Sequence, residues 1–202
     1  MKNTIKNTKK GILMVTMFAT LLSFADDASF YALKNDAGRT SLTLNNVKQG
    51  NLLTIKDENG MLLYKEFIKK TGTYNKGFDL TSLPDGNYLF ELEKDLEINT
   101  IPFAVKTNTV VFKKENEKTI FKPYTRVVGN VAYLTKLALN AEPLKVEIYF
   151  NNEGVNLELI FSETIENTVN ISRVYKLSNL KKGNYKIVYS TNGRIFTKEI
   201  ID

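Results

Sequence analysis

The side chains that most often perform catalysis are missing from this sequence. The chain has 202 residues with no histidine and no cysteine. A serine–histidine triad, a cysteine nucleophile and a histidine or thiolate metal site each need one of these side chains. A pair of carboxylates of the glycosidase type is the chemistry that stays open. The candidate pairs are Glu91 with Glu93, and Glu147 with Glu158.

These four glutamates lie in segments where apolar and polar residues alternate. A half-buried strand places its polar residues on the wet face with this period of two, so the pattern accounts for the glutamates without an active site. We therefore expect a protein that is not an enzyme and has no catalytic residues.

The segment Asp57-x-Asn59-Gly60 resembles the start of a calcium loop. Such a loop needs glycine at its sixth position and a bidentate acid at its twelfth, where this chain has Leu62 and Ile68. A hairpin turn explains the segment better, and we expect no metal and no cofactor.

Tyrosine precedes lysine in Tyr64-Lys65 and Tyr185-Lys186, which suggests a platform for sugars or single strands. The chain has no tryptophan, and long lysine side chains commonly cover the solvated face of a sheet. The solvated face is the preferred interpretation.

The N-terminus has the three parts of a signal peptide. Four lysines precede an apolar run over residues 11–24, and Ser23-Phe24-Ala25 then fits a cleavage site. The run of 14 residues is shorter than the roughly 20 that a spanning helix needs. The sequence predicts cleavage after Ala25 and export to the periplasm, cell surface or medium, with no transmembrane segment afterwards.

Removal of residues 1–25 also changes the charge. That segment holds four lysines and no acid, so the net charge falls from +6 to +2. The basic surface expected of a nucleic-acid-binding protein is therefore missing, and we expect no nucleic-acid partner.

The rest of the chain predicts an all-β fold. Alternating runs are separated by Gly, Asn and Asp, and Asn59-Gly60 and Asn192-Gly193 suggest type I′ hairpins, with a longer turn at Glu153-Gly154. The predicted strands are residues 41–44, 53–55, 61–67, 88–92, 101–105, 109–112, 127–128, 132–139, 146–150, 157–161, 171–177, 185–189 and 195–200.

An internal repeat is the most informative feature. Residues 78–88 align without gaps on residues 175–185, at a constant offset of 97. The repeated positions are Leu80, Leu83, Gly86 and Tyr88 in the first copy and Leu177, Leu180, Gly183 and Tyr185 in the second. The motif is interpreted as a tyrosine corner, in which the tyrosine hydroxyl bonds to nearby backbone. The glycine is expected in the turn because a Cβ could clash there.

A repeat of this length matches one immunoglobulin-sized sandwich. We predict two tandem immunoglobulin-like antiparallel β-sandwiches, over residues 26–113 and 119–202. The charged residues 114–118 are the predicted linker.

The motif aromatic-x-Leu-x-x-Leu-x-x-Gly-Asn-Tyr resembles the β-sandwich modules of secreted Bacteroidota proteins and is similar to the C-terminal sorting domains of type IX (Por) secretion cargo. Small flavobacterial secreted proteins with tandem sandwiches also place a segment like 118–123 between copies. The resemblance implies a fold and no activity. A sorting tail usually ends in a basic strand, whereas this chain ends Lys198-Glu199-Ile200-Ile201-Asp202.

The sequence therefore predicts an exported, non-enzymatic interaction module that binds an unknown protein or glycan. One alternative is a type IX cargo protein whose C-terminal repeat is its sorting domain. The other is an enzyme that acts on carbohydrates through carboxylates.

We expect the exported protein to begin at Asp26. N-terminal sequencing of the native protein tests this expectation, and intact Met1 in washed membranes would contradict it.

Overall fold

The computed structural model describes residues 30–36, 39–151, 157–177 and 183–201. The predicted signal peptide over residues 1–25, the turn at Glu153-Gly154 and the motif residue Leu180 lie outside the described residues. In the described ranges no helix is long and apolar enough to cross a membrane.

The described part of the first half forms nine strands. They are β1 (Tyr31–Asp36), β2 (Arg39–Val47), β3 (Leu52–Asp57), β4 (Leu62–Phe67), β5 (Gly72–Phe78), β6 (Gly86–Glu93), β7 (Glu97–Lys106), β8 (Thr109–Phe112) and β9 (Lys118–Phe121). Short 3-10 helices, Leu80–Ser82 and Lys114–Asn116, precede β6 and β9.

The described part of the second half forms seven strands. They are β10 (Tyr124–Val128), β11 (Val131–Leu137), β12 (Leu144–Asn151), β13 (Leu157–Ile165), β14 (Asn170–Lys176), β15 (Asn184–Thr191) and β16 (Arg194–Ile200).

The two halves share one topology. In the first half the sheets have the orders β1-β2-β5 and β4-β3-β6-β7-β8, with β9 also paired to β7. In the second half the orders are β10-β11-β14 and β13-β12-β15-β16. Strands β10 to β16 therefore take the same places, in chain order, as β1 to β7. All pairs are antiparallel, so the prediction of an all-β protein with two tandem sandwiches is confirmed.

Alternation along the strands builds a separate core in each half. Leu42, Leu44, Phe90 and Phe103 are among the fully buried side chains of the first core. The second core is built in the same way from β11, β12 and β15. Because each core is filled by its own half, each half has the packing of a sandwich domain.

The two Asn-Gly hairpins differ in geometry. Asn192 and Gly193 both have positive φ, at 48° and 70°, as a type I′ turn requires. At the other hairpin only Gly60 has positive φ, and its amide donates to the Asp57 carbonyl at 3.0 Å. The type I′ prediction for Asn59-Gly60 is therefore wrong. Gly60 follows a turn whose central residues have negative φ, as in a hairpin closed by a bulge.

The division between the halves also differs from the predicted boundary. Residues 118–121 form β9 and pair with β7, whereas the sequence placed residue 118 in the linker and residue 119 at the start of the second sandwich. Lys122 is held as well, because its amide donates to the Leu96 carbonyl at 2.8 Å. Only Pro123 then separates the first half from β10.

A buried carboxylate joins the halves. The side chain of Glu91 on β6 is 5% exposed and forms ion pairs with Lys56 of the same sheet, at 2.5 Å, and with Arg194 of β16. Burial alone would raise the pKa of Glu91, but hydrogen bonds from Arg194 and Lys56 outweigh it and hold the pKa below its ordinary value.

The second core contains a lysine where the first has leucine. Tyr74 and Ile171 are 97 residues apart and occupy the same place in the two halves; Leu44 pairs with Tyr74, and Lys136 pairs with Ile171. The Lys136 side chain has no exposed area, and its ammonium pairs with Glu142 at 2.5 Å. A fully buried ammonium depends on such a partner because desolvation costs several kcal/mol.

We expect Glu142→Ala to destabilise the second half by about 3–5 kcal/mol, because it leaves the buried ammonium of Lys136 without its carboxylate. Urea denaturation measures the effect. The matched control is Asp95→Ala, which breaks an ion pair whose two side chains are 69% and 68% exposed and should leave the curve unchanged. Equal stabilities for the two variants would contradict the expectation.

Candidate binding surface

The first copy of the repeated motif forms the predicted tyrosine corner. The Tyr88 hydroxyl donates to the Pro84 carbonyl at 2.7 Å, and the Tyr88 ring is stacked on Phe103. Leu80 is buried in the core, and Leu83 packs against it half-buried. These residues hold the entry to β6 in place.

The second copy is described in part. Leu177 and Tyr185 are buried in the second core. A Cβ at Gly183 would collide with the Asn151 carbonyl and lie 2.9 Å from the Phe150 ring. At Gly86 the nearest atom to a Cβ is 3.5 Å away, which is ordinary contact, so the steric reason predicted for both glycines holds at Gly183 and not at Gly86.

Three of the four candidate catalytic carboxylates are held in ion pairs. Glu91 bonds to Lys56 and Arg194, Glu93 lies 3.0 Å from Lys122, and Glu147 lies 2.7 Å from Lys145. The fourth, Glu158, is exposed on β13 and pairs in register with Phe150 rather than with Glu147.

The Asp57 carboxylate serves the hairpin. Its Oδ1 accepts hydrogen bonds from the amides of Asn59 at 3.0 Å and Met61 at 2.7 Å. Within the described ranges no three acidic side chains lie close enough together to hold a metal ion.

The tyrosine–lysine dipeptides do not form two matching platforms. Tyr185 is buried in the second core. The half-buried Tyr64 packs edge-on against Phe78, and its hydroxyl donates to Glu66. Lys65 lies 5.4 Å from the ring of Phe67 and is exposed.

A carboxylate network closes the margin of the first sandwich where β4 and β5 end their sheets. Glu66 on β4 accepts hydrogen bonds from Tyr74 at 2.8 Å and Lys76 at 2.7 Å, both on β5, and from Tyr64. These bonds, with Lys76 contributing most, lower the pKa of Glu66 to about 2. We call this arrangement the closing network.

The second sandwich has the same closing network 97 residues later. Glu163 on β13 accepts from Arg173 at 3.3 Å and from the Tyr175 hydroxyl at 2.6 Å, both on β14. The ring pair beneath it also recurs, as Phe161 with Tyr175 in place of Tyr64 with Phe78. In the first half the hydroxyl belongs to Tyr64 on the edge strand, and in the second it belongs to Tyr175 on the opposite sheet. In each half it bonds to the glutamate at the repeated position.

The outer side of β4 is apolar and open to solvent. β4 pairs with β3 alone among the described strands, so it is the free edge of its sheet. Met61, Leu62, Leu63 and Phe67 are 39–59% exposed along it. Proteins protect a free edge with charge, proline, a bulge or a covering loop, and this edge has lysines and a bulge. Its exposed apolar side chains nevertheless form an apolar surface of the kind found at contact sites.

Among the described strands β13 pairs with β12 alone, so it is the corresponding edge of the second half. Leu157, Leu159, Ile160 and Phe161 are 42–50% exposed on it. Both edge strands have a bulge, with Leu63 and Ile160 as the extra residues. These residues are 97 apart, so the bulge recurs at the same position and places one more apolar side chain on each edge.

We call residues 61–70 the β4 edge and residues 157–166 the β13 edge. Sequence reasoning identified both segments as strands and missed them as surfaces. The signal was present in Leu62-Leu63 and Leu159-Ile160-Phe161, where consecutive apolar residues break the alternation of a half-buried strand.

No protein-family model and no curated protein matches the chain. Among solved structures it is similar to the BSP domain of a biofilm-associated protein, at 11% identity and a TM-score of 0.27, covering 85% of this chain and 29% of that one. The human OSCAR ligand-binding domain gives 9% identity and a TM-score of 0.25, covering 86% of this chain and 97% of that one.

A third similar structure is native alpha-2-macroglobulin from Escherichia coli spanning domains MG0-NIE-MG1. It gives 12% identity and a TM-score of 0.22, covering 83% of this chain and 68% of that one. All three TM-scores are below 0.5, so none of these similarities bears on the function.

The closing network of the first half should make its stability depend on pH. The pKa of Glu66 is depressed in the folded protein, so its contribution is complete above the ordinary value of 4.5 and is lost as the pH falls towards about 2. We expect Glu66→Gln to lower the urea midpoint clearly at about pH 6 and much less at about pH 3. Glu158→Gln, an exposed carboxylate, is the control, and an equal effect of Glu66→Gln at both pH values would refute the linkage.

Proposed function

We propose that this chain is an exported, non-enzymatic β-sandwich protein of the cell envelope or extracellular space that binds other proteins through its β4 and β13 edges. The observation that carries the proposal is the run of exposed apolar side chains along two free sheet edges. A partner strand can satisfy the open backbone groups of an edge, while the apolar side chains supply contact area.

The edges are suited to binding because they are held in fixed positions. The closing networks bond β4 to β5 and β13 to β14, which anchors each edge strand to the opposite sheet. A surface that is already ordered loses less conformational entropy when a partner binds.

Protein is favoured over glycan as the partner by the chemistry of the edges. Sugar sites commonly use aromatic faces for stacking, and the exposed residues of the β13 edge are mainly aliphatic. The tyrosines of both Tyr-Lys dipeptides pack within the sandwiches instead.

The proposal that the protein is not an enzyme is supported by the ion pairs of the candidate carboxylates. Glu91, Glu93 and Glu147 each neutralise a neighbouring cation, which leaves them committed to structure. Export is supported by the signal-like residues 1–25. The type IX sorting role rests on the resemblance of the repeats and stays a prediction.

Site-specific photo-crosslinking in the producing cells tests the proposal. The photoreactive residue benzoylphenylalanine is placed at Leu63, at Ile160 and, as a control, at Leu139, which is 59% exposed but lies outside the strands. We expect protein adducts from both edges and none from the control. Adducts at neither edge, or equal adducts at all three positions, would overturn the proposal.

A further inference from the structure

The two edges differ in charge although they occupy the same place in the two sandwiches. The β4 edge has Lys65, Lys69 and Lys70 exposed, and its glutamate, Glu66, is already bonded to Lys76. The β13 edge has Glu158 and Glu166 exposed and contains no lysine or arginine. One edge is therefore basic and apolar, and the other is acidic and apolar.

The difference is visible at a single repeated position. Lys69 and Glu166 are 97 residues apart and follow the ends of corresponding strands. One chain thus presents two similar edge strands, each with a bulge at the same position. The two edges have opposite charge.

From this complementarity we infer that the partner of each edge is a second copy of this chain, with the β4 edge of one molecule against the β13 edge of the next. This inference rests on the proposed function and names its partner. Opposite charges attract at such a contact, whereas β4 against β4 would bring lysines together and β13 against β13 would bring glutamates together.

The contact is heterologous, because different surfaces of the same chain meet. A heterologous contact leaves one edge unused at each end of the assembly, so further copies add head to tail until a ring closes or a filament grows. The charges also predict that association weakens as the salt concentration rises.

Two variants that each block one edge provide the test. Leu63→Glu blocks the β4 edge and leaves the β13 edge intact, whereas Ile160→Lys does the reverse. Both side chains are exposed, so circular dichroism and thermal unfolding should match the wild type at protein concentrations low enough for the wild type to be monomeric. Leu139→Lys, an exposed apolar residue away from the edges, is the matched control.

We expect the sedimentation coefficient of the wild type and of Leu139→Lys to rise with protein concentration. Each edge-blocked variant alone should stay monomeric. An equimolar mixture of the two should form one dimer and nothing larger, because it contains a single intact type of junction.

Three results would overturn the inference. One is a wild type that stays monomeric up to its solubility limit. The others are self-association of Leu63→Glu alone, which means that two β13 edges pair, and of Ile160→Lys alone, which means that two β4 edges pair. If the wild type is monomeric but its edges still crosslink to a different protein, the proposed function stands and self-assembly fails.

A charge exchange gives an independent check. Lys69→Glu alone should weaken association. Adding Glu166→Lys in the same chain should restore it, because position 69 of the β4 edge is then acidic and position 166 of the β13 edge is basic. Failure of the second substitution to restore association contradicts the charge pairing, while the crosslinking result remains a separate test of edge binding.

Discussion

One carboxylate in each sandwich holds the two sheets together at the margin where both sheets end. Glu66 and Glu163 reach from the last strand of one sheet to a cation and a tyrosine on the last strand of the other. Because the chain has no cysteine, no disulfide is available for this purpose. The bonds hold each edge strand against the opposite sheet through its inner side, while its exposed apolar side chains remain in solvent.

The repeat preserves geometry more closely than chemistry. The tyrosine of the closing ring pair changes places, a core leucine is replaced by Lys136 with its partner Glu142, and Lys69 is replaced by Glu166. The order of the seven shared strands and the position of the bulge in the edge strand do not change. Buried positions must keep a shared core shape, and the change to Lys136 is accommodated because Glu142 neutralises its ammonium. Exposed positions are free to differ, so two copies of one sandwich can offer unlike surfaces.

The sequence predicted the sandwiches because alternation and turn residues are local signals. It missed β1, whose three apolar residues are consecutive and are followed by three polar ones. It also missed β5, whose exposed polar residues and two glycines give little alternation, and β9, whose short charged surroundings resemble a linker. The buried contact of Glu91 with Arg194 could not be predicted, because the two residues are 103 positions apart and meet only once both sandwiches exist. The edges depend on strand order, which residue types alone do not determine.

The connection through Pro123 has a mechanical consequence. β9 and Lys122 are fastened to the first sandwich, so a force that separates the halves acts on the β7–β9 ladder as well as on the ion pair of Glu91 with Arg194. Peeling the four residues of β9 from β7 would release about 13 Å of chain. The connection is therefore short while β9 stays paired, and it lengthens if tension peels β9 from β7.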